Sequence, residues 1–427
     1  MAVGEPSPGQ PHRAYFGGGA VLADLDGDQI LDLYIPSIGG PNGLFRGRGD
    51  GRFEEVVGTP LEGGTFSVGA TAADLDGDGL KEILLADGQL LRLFRNEGDW
   101  QFTELPPLVV GAPHDWPVGA VVADLDGDDK LDIYVPCHMD WGEGMEPFGG
   151  SDYLLRGDGE LQFTDVTELL GEPEDRFGLT FAGTWIDSDD DGSLDLYVVN
   201  DKGALYGGNR LYRGDLATGF VEVSEETFSG LEVRGMGVSQ GKLGNSSSTS
   251  LVFSDIGAVH VLTFEHGLAL DRTGMVTPYP SDVDEHYPAW GVHLEDFDND
   301  ADLDLLTAWS AISPLHPPFE GRVGLRLWDK GVFQPLEGTP GDVPGYWRSV
   351  VPGDLNGDGQ AELLVGAETK LGSDLALAGR GGSVFILAMG ADGIVQNYTR
   401  VWESTPGFSA PPLYFGSSVR PNNGEHQ

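Results

Sequence analysis

The chain has 427 residues, a formal net charge of −45 at pH 7 and an apolar fraction of 40%. This acidic excess excludes nucleic acid and anionic membrane surfaces as natural partners and favours cations or basic partners, while the apolar fraction suffices for a large core. No segment approaches the ~20 apolar residues that a membrane-spanning helix needs. Residues 1–14 are predicted to be a tail, and they lack the basic start and apolar run of a signal peptide.

An acidic motif begins the first predicted unit and then recurs along the chain. It reads ADLDGDQILDLYIPS from Ala23, and related copies start at Ala73, Ala123, Ile186, Glu295 and Gly353. One apolar segment enters each acidic stretch and a second leaves it, followed by a turn marked by Gly or Asn and by an alternating segment. Internal repetition at this length indicates a repeat architecture.

A seventh copy lies between the fourth and the fifth of these acidic copies and has lost its acidic residues. The stretch GKLGNSSSTSLVFSD aligns without gaps, with Lys242, Gly244 and Ser246 where the first three carboxylates would stand. The structural unit is therefore kept while a metal site is expected to be missing. Seven units spaced roughly 50 to 60 residues apart then account for the chain.

Each unit contains four short β segments, which is the number of strands in a propeller blade. The predicted fold is all-β: a seven-bladed β-propeller of four-stranded antiparallel blades over residues 15–405, with residues 406–427 as a closing strand or tail. An open solenoid is the alternative. We favour the ring because closure leaves no long strand edge exposed, and we expect a monomer.

The acidic loops have the chemistry of a cation site. Within nine residues each offers carboxylates or an amide at positions 1, 3, 5 and 9 and a backbone carbonyl at position 7. Ca²⁺ accepts six to eight oxygens at flexible angles, whereas Mg²⁺ demands octahedral geometry and transition metals favour His or Cys. A single such stretch could be a solvated loop, but six copies in register with the strands predict about six Ca²⁺ sites. The predicted ligands are Asp24, Asp26, Asp28, Ile30 and Asp32; Asp74, Asp76, Asp78, Leu80 and Glu82; Asp124, Asp126, Asp128, Lys130 and Asp132; Asp187, Asp189, Asp191, Ser193 and Asp195; Asp296, Asp298, Asp300, Asp302 and Asp304; and Asp354, Asn356, Asp358, Gln360 and Glu362.

The acidic loops, followed by DLYI, DIYV, DLYVVN and ELLVGA, resemble FG-GAP/VCBS repeats, the units of the integrin α-chain propeller. YVVNDKGALYGGNRLYRGD, RGMGVSQG and AWGVHLEDFDND are similar to the cartilage-acidic-protein/UnbV class of secreted propellers. This resemblance implies Ca²⁺ in the hairpin between the first and second strand of each blade, on the lower face. It also implies a secreted, periplasmic or cell-surface protein with a role in adhesion or binding.

The links expected on the opposite, upper face are rich in aromatic and His residues. We predict a carbohydrate, peptide or cell-surface protein ligand there, held by flat aromatic faces. The alternatives are an enzyme acting on a polysaccharide or small molecule as a lyase, hydrolase or isomerase, and simple packing of these side chains between blades. The candidate ligand-binding residues are Trp116, Trp141, Tyr287, Trp290, Trp309, Tyr346, Trp347 and Arg348; the candidate catalytic residues are His114, Asp115, His138 and His286.

Overall fold

The structure, a computed structural model, describes residues 19–37, 40–64, 66–111, 115–138, 150–172, 176–201, 203–275, 288–310, 322–336, 346–368, 382–389 and 395–403. The tail over residues 1–14 and the stretch 406–427 lie outside these described ranges. None of the helices within the described ranges has the length and apolar character that crossing a bilayer requires.

Short β-strands make up almost all of the regular structure. In the first half of the chain they are β1 Val21–Ala23, β2 Asp32–Ile35, β3 Gly43–Gly47, β4 Phe53–Glu55, β5 Ser67–Ala73, β6 Glu82–Asp87, β7 Leu90–Asn96, β8 Phe102–Glu104, β9 Val109–Val110, β10 Trp116–Pro117, β11 Val121–Ala123, β12 Asp132–Val135, β13 Cys137–His138, β14 Gly150–Ser151, β15 Tyr153–Gly159, β16 Gln162–Asp165, β17 Phe177–Gly178, β18 Thr180–Ile186 and β19 Asp195–Asn200. In the second half they are β20 Arg210–Asp215, β21 Gly219–Glu222, β22 Val238–Gly241, β23 Ser250–Asp255, β24 Ala258–Glu265, β25 Leu268–Asp271, β26 Ala289–Glu295, β27 Asp304–Trp309, β28 Arg322–Asp329, β29 Val332–Pro335, β30 Tyr346–Gly353, β31 Glu362–Glu368, β32 Gly382–Met389 and β33 Val395–Glu403.

Helices are confined to single turns at the ends of strands. The α-helical turns are α1 Gly203–Tyr206 and α2 Ser224–Thr227, and the 3₁₀ turns cover Pro60–Glu62, Thr167–Leu170 and Thr273–Met275. In the 3₁₀ turn Thr167–Leu170 the buried residues are Thr167 and Leu170, so this turn covers the edge of a neighbouring sheet rather than forming a layer.

Six antiparallel sheets have four strands each, the form that the sequence predicted for all seven units. We number the sheets along the chain: sheet 1 (β1–β4), sheet 2 (β5–β9), sheet 3 (β11, β12, β15, β16), sheet 4 (β18–β21), sheet 5 (β22–β25), sheet 6 (β26–β29) and sheet 7 (β30–β33). In every sheet except sheet 2, strands that follow one another within the sheet are hydrogen-bonded neighbours. Two small ribbons lie beside these sheets: β10 with β13 prolongs the hairpin of β11 and β12 in sheet 3, and β14 with β17 pairs the segments that lead into sheets 3 and 4.

Sheet 2 departs from the prediction because it has five strands. Both β8 and β9 pair with β7, β8 opposite Phe94–Asn96 and β9 opposite Leu90 and Leu91. Pro106 and Pro107 lie between the two segments. Proline has no N–H to donate, so a run of two prolines interrupts a strand. Strands β8 and β9 are thus two pieces of one outer edge, and the sheet is four strands wide.

Apolar clusters lie between neighbouring sheets rather than within one central core. Tyr34 and Leu44 of sheet 1 pack with Ile83 and Phe94 of sheet 2, and equivalent clusters follow between later pairs of sheets. Another cluster joins Leu355, just after β30, to residues of sheet 1. Strand β1 also contacts both β5 and β30. The first strands of the sheets therefore follow one another around a common axis, which is the β-propeller arrangement.

The second strand of each sheet is covered on both sides, which explains its nearly continuous apolar sequence. All four residues of β2 and of β12 are buried. The tyrosine in these strands is buried as well, and its hydroxyl finds a partner: Tyr34 donates to the carbonyl of Leu61 at 3.0 Å, and Tyr134 donates to Asp152 at 2.6 Å. Buried polar groups need such partners.

Candidate metal centres and the upper face

The acidic motifs form the connection between the first and second strand of their sheets. We call them loop 1 (residues 24–32), loop 2 (74–82), loop 3 (124–132), loop 4 (187–195), loop 6 (296–304) and loop 7 (354–362), and use loop 5 (242–250) for the degenerate copy. All these connections are at the same end of the strands, which defines the lower face. Position 9 of each loop is the first residue of the second strand.

The first aspartate of a loop organises the backbone. Asp24 accepts hydrogen bonds from the N–H groups of Gly27 at 2.8 Å, Asp28 at 3.1 Å and Gln29 at 2.9 Å. The same pattern is found at Asp74, Asp124 and Asp354. Aspartate readily makes such side-chain to backbone bonds in tight turns. The carboxylate therefore closes the loop into a ring of inward-facing oxygens.

The fourth residue of each acidic loop has a left-handed backbone conformation, as its residue type predicts. Gly27 has a φ of 81° and Gly127 a φ of 75°. Loops 4 and 6 have no glycine here, and Asp190 and Asn299 take φ values of 63° and 60°. Asn and Asp are the non-glycine residues that best tolerate this region. The residue types at this position therefore suit the conformation that the loop adopts there.

The acid at position 9 ties the loop to the sheet. Asp32 is fully buried and accepts from the N–H of Leu25 at 2.8 Å and from that of Gly47 at 2.9 Å. Burial raises the pKa of Asp32 to about 6, and burial likewise raises the pKa values of Glu82 and Asp304 to about 7 each. A buried acid of this kind is stabilised in its charged form by a nearby cation.

Carboxylate oxygens converge in five of the loops. One oxygen from each member lies within 4.8 Å of the others in these groups: Asp24, Asp26 and Asp32; Asp74, Asp76 and Asp78; Asp124, Asp126 and Asp132; Asp187, Asp189 and Asp191; and Asp296, Asp298 and Asp300. Loop 7 differs because its third position is Asn356, which donates to Glu362 at 2.8 Å and accepts from the N–H of Asp358 at 2.8 Å.

Two of these loops contain a buried oxygen that has no hydrogen-bond donor among the described residues. They are Oδ1 of Asp76 and Oδ1 of Asp189, both at position 3. Burying a carboxylate oxygen without a partner is costly, and a bound cation removes that cost. The donor set consists of oxygens alone, which suits Ca²⁺ better than metals that favour nitrogen or sulfur. The residues present therefore fit a calcium ion.

Loop 5 keeps the architecture of the other loops without their carboxylates. Ser250 occupies position 9, is buried, and shares a 2.8 Å hydrogen bond with the hydroxyl of Thr263 on the third strand. Leu243 at position 2 is buried between sheets 5 and 6, as Leu25 is between sheets 1 and 2. A neutral hydroxyl pair thus stands where an acid accepts from two backbone N–H groups in loop 1.

Three arginines of the third strands pair with the loops, and the sequence analysis missed them. Arg46 lies 3.1 Å from Asp26 and 2.9 Å from Asp28, Arg95 lies 3.4 Å from Asp76, and Arg213 lies 3.4 Å from Asp189. Their signal in the sequence is the recurrence of Arg in LFRG, LFRN and LYRG. Each of these positions is distant in sequence from the loop that it contacts.

On the upper face the candidate catalytic residues that the structure describes have structural contacts. Asp115 is buried and accepts from the N–H of Ser151 at 3.0 Å and from the Tyr153 hydroxyl at 2.7 Å. His138 is buried, with its ring 4.2 Å from that of Phe181 and its Nε2 4.0 Å from Oδ2 of Asp201. Neither geometry matches an exposed acid–base pair.

Several other candidates fall outside what can be described. His114, Trp141, His286 and Tyr287 are outside the described residues, and of Tyr346, Trp347 and Arg348 only the backbone, in β30, is described. Trp309 is buried, and its indole donates to the Thr307 hydroxyl at 2.8 Å. Its ring packs in the cluster between sheets 5 and 6 and faces no solvent. Trp309 is therefore a core residue, which corrects its assignment to a ligand surface.

Trp116 and Trp290, the two remaining candidate ligand-binding residues, are half-buried. Both belong to small aromatic clusters at the upper ends of the sheets. Trp116 packs edge-on against Phe66 at 5.3 Å between ring centroids. Trp290 packs edge-on against Phe181 at 6.3 Å, and its indole donates to the carbonyl of Ser310 at 3.2 Å. We call Phe66, Trp116, Phe181 and Trp290 the upper aromatic group. Phe181 and Trp290 come from sheets 4 and 6, so the group crosses sheet boundaries.

Comparison with known proteins identifies the repeats. The FG-GAP-like repeat family matches residues 24–85, 74–135 and 296–365, and the FG-GAP repeat family matches residues 346–387. Cartilage acidic protein 1 from Mus musculus is 28% identical over 153 residues, which are 33% of this chain and 23% of that protein. The chain thus matches less than a quarter of that relative's length.

Two solved structures share the fold at low identity. An Agrocybe aegerita lectin that recognises non-reducing terminal N-acetylglucosamine has a TM-score of 0.55 at 15% identity, covering 90% of this chain and 93% of the lectin. An ancestral GH74 enzyme has a TM-score of 0.52 at 11% identity, covering 89% of this chain and 46% of the enzyme. Family matches over residues 24–135 and 296–387, acidic loops and the ring of antiparallel sheets agree: the chain is a β-propeller that carries FG-GAP-like repeats.

Proposed function

We propose that this propeller is a closed ring of seven blades in which the five-stranded sheet 2 is an ordinary blade with a broken outer edge. We further propose that up to six Ca²⁺ ions bind to loops 1 to 4, 6 and 7. Support comes from the converging oxygens of five loops and from the unpartnered buried oxygens of Asp76 and Asp189. When bound, the ion would supply positive charge to buried acids that otherwise repel one another.

The calcium proposal is tested by counting metal. After equilibrium dialysis at about 1 mM free calcium, metal analysis should find about six Ca²⁺ per chain above the buffer concentration, and titration calorimetry of the chelated protein should recover them. Fewer than three would refute the proposal. Replacing Asp124 and Asp126 with Asn should remove one ion, because loop 3 then loses two carboxylates of its cluster.

For the upper face we propose a binding role, with a carbohydrate as the first class of ligand. The observation that carries it is the upper aromatic group, whose half-buried rings offer flat apolar faces of the kind that sugars stack on. The similar lectin recognises terminal N-acetylglucosamine, and the similar GH74 protein is an enzyme, so both roles occur on this fold. The burial of Asp115 and His138, and the two hydrogen bonds that Asp115 accepts, favour binding over catalysis.

A glycan array followed by calorimetry tests the binding role. Trp116→Ala and Trp290→Ala should each weaken binding of any glycan that the parent retains, by roughly tenfold or more if the ring stacks on the ligand. Val57→Ala, at an exposed apolar side chain in the link that follows β4 and outside the upper aromatic group, is the control. Cleavage or isomerisation of a retained glycan by the parent protein would instead support the enzyme alternative.

We also propose that the protein works outside the cytoplasm, where calcium is abundant, as a secreted, periplasmic or cell-surface propeller. Its role there would be that of an adhesion or recognition module. The strongly acidic composition and the calcium loops support this placement, since sites of this kind fill at the roughly millimolar calcium found outside cells. Localisation of the native protein by cell fractionation tests it, and recovery from the cytoplasmic fraction alone would refute it.

A further inference from the structure

We propose that three third-strand arginines, Arg46, Arg95 and Arg213, are built-in competitors of calcium that hold loops 1, 2 and 4 closed when the metal is absent. This inference rests on the proposed calcium function and concerns the regulation of those sites. Each guanidinium supplies a positive charge to the acids at the place where Ca²⁺ would supply two.

Loop 1 shows the arrangement most completely. Nε of Arg46 lies 3.1 Å from Oδ2 of Asp26, and its Nη2 donates to Oδ2 of Asp28 at 2.9 Å. The other oxygen of each acid is engaged as well: Oδ1 of Asp26 accepts from the N–H of Asp28, and Oδ1 of Asp28 accepts from that of Ile30. All four oxygens of the two acids thus have donors. A calcium ion entering loop 1 must share or displace the guanidinium.

Loop 4 holds its arginine more deeply. Arg213 is about a quarter exposed, and its Nε lies 3.4 Å from Asp189 and 3.6 Å from Asp195, the position 9 acid. The same guanidinium donates to Ser188 of the loop at 2.9 Å and to the carbonyl of Gly267 in sheet 5 at 2.8 Å. It therefore joins the acidic loop of sheet 4 to a turn of the metal-free sheet 5.

Strand register places an arginine at this same position in four sheets, but only three of the four contact the position 3 acid. The position follows the residue that pairs with the second residue of the second strand: Arg46 follows Phe45, Arg95 follows Phe94, Arg156 follows Leu155 and Arg213 follows Tyr212. Arg156 pairs instead with Asp158, next to Gly157 on its own strand, at 2.9 Å. Sheet 6 has Leu327 at this register and sheet 7 has Ala388.

Two opposite consequences follow for each arginine. Without metal, the ion pairs offset repulsion among the loop carboxylates, so removing the arginine loosens the loop. With metal, the guanidinium repels the incoming divalent ion and holds one oxygen of the position 3 acid, so removing the arginine strengthens calcium binding. A side chain that only supported the fold would weaken both states together. The opposite signs therefore distinguish a competitor from a structural residue.

Amide hydrogen exchange measured by mass spectrometry at a series of buffered free calcium concentrations resolves individual loops. In Arg46→Gln we expect the calcium midpoint of the peptide covering residues 24–32 to fall by about threefold, the range of a surface ion pair. In excess chelator the same peptide should exchange faster than in the parent. The peptide covering residues 296–304 should be unchanged in both conditions, because no arginine stands at this register in sheet 6.

Arg156→Gln is the matched control, since it removes the same residue from the same register but not a pair with the position 3 acid. It should shift the midpoint of residues 124–132 by less than Arg46→Gln shifts that of residues 24–32. Arg46→Lys, which keeps the charge as a point and loses the planar contact, should restore part of the parent midpoint. An Arg46→Gln midpoint that rises or stays unchanged overturns the inference. If the parent binds no calcium at about 1 mM, the calcium proposal itself fails. If the parent binds calcium but the midpoint does not fall in Arg46→Gln, only the arginine inference fails.

Discussion

Asp152 is an acid buried away from the loops, in a position that other sheets fill with asparagine. It accepts from the Tyr134 hydroxyl at 2.6 Å, from the N–H of Cys137 at 2.7 Å and from the Thr180 hydroxyl at 2.9 Å. Asn42 and Asn209 make the corresponding contacts to Tyr34 and Tyr197 in sheets 1 and 4. Sheets 1, 3 and 4 therefore share a buried tyrosine paired with an Asn or Asp.

Replacing Asp152 with Asn should change how stability depends on pH. Burial raises the pKa of Asp152 to about 6 from an ordinary 3.8, so the folded state binds a proton that the unfolded state has released between these values. This carboxyl therefore favours folding below about pH 4, and the benefit is lost as the pH rises to 6. We expect Asp152→Asn to be more stable than the parent at pH 7, by up to about 3 kcal/mol.

Urea unfolding in saturating calcium at several pH values checks this. The difference in unfolding free energy between variant and parent should shrink as the pH falls from 7 to 4. Protonation of the loop carboxylates affects both proteins equally and cancels in that difference. A difference that is constant with pH would show that Asp152 keeps an ordinary pKa. Asn42→Asp is the reverse substitution at the equivalent place, and it should introduce the same pH dependence.

Leu25 connects a metal loop to the packing between two sheets. It is fully buried, it occupies position 2 of loop 1, and its carbonyl accepts from the side chain of Asn96 in sheet 2 at 2.8 Å. Leu25→Ala should lower the free energy of unfolding by about 2–5 kcal/mol through the cavity that it leaves. It should also weaken calcium binding at loop 1, because the ring of oxygens depends on the position of that backbone.

Thermal or denaturant unfolding with the calcium content measured alongside tests this variant. Val57→Ala, at a side chain that is 69% exposed, should change neither quantity. Loss of stability with an unaltered calcium midpoint at residues 24–32 would mean that the loop and the inter-sheet packing are independent.

At the scale of elements, loop 5 offers a test of how many carboxylates a calcium site needs. Lys242→Asp alone should add no calcium ion, since Gly244, Ser246 and Ser250 occupy the positions of the other three acids. Metal analysis of the variant and the parent should give the same count. An additional ion in Lys242→Asp would show that a single acid and the backbone carbonyls suffice in this loop.

Features that recur among the repeats were predictable from the sequence, because a residue type found at the same place in several copies is seldom there by chance. The acidic loops, the left-handed residue at position 4 and the degenerate unit at Lys242 all followed from aligning copies. The strand break in sheet 2 was missed although Pro106 and Pro107 are visible in the sequence, since it occurs in one unit only. The pairing of Arg46 with loop 1 depends on strand register, which no local pattern reveals.

The upper face was less predictable for a physical reason. Aromatic and His residues in links are equally compatible with a ligand surface and with packing between sheets. The structure assigns Trp309 to the core and gives Asp115 two hydrogen-bond donors, and it leaves Trp116 and Trp290 half-buried. Burial of a link residue depends on the neighbouring sheet, which is remote in sequence.

For the whole molecule, chelation should lower the melting temperature markedly, because a chain of net charge −45 then loses the cations that offset repulsion among its loop carboxylates. Added sodium chloride should recover part of that loss by screening. Scanning calorimetry with and without EDTA, at low and high salt, measures both effects. A melting temperature that is indifferent to EDTA would show that the ring does not depend on metal.

The hydroxyl pair of Ser250 and Thr263 has a consequence for the order in which the ring comes apart. Every other sheet has acids in its loop whose repulsion grows when calcium is scarce, whereas loop 5 of sheet 5 has none at the ligand positions and is less sensitive to that change. We expect it to act as an anchor: in dilute calcium its amides stay protected longest, and it is the fixed point from which the neighbouring sheets re-form when the ion returns.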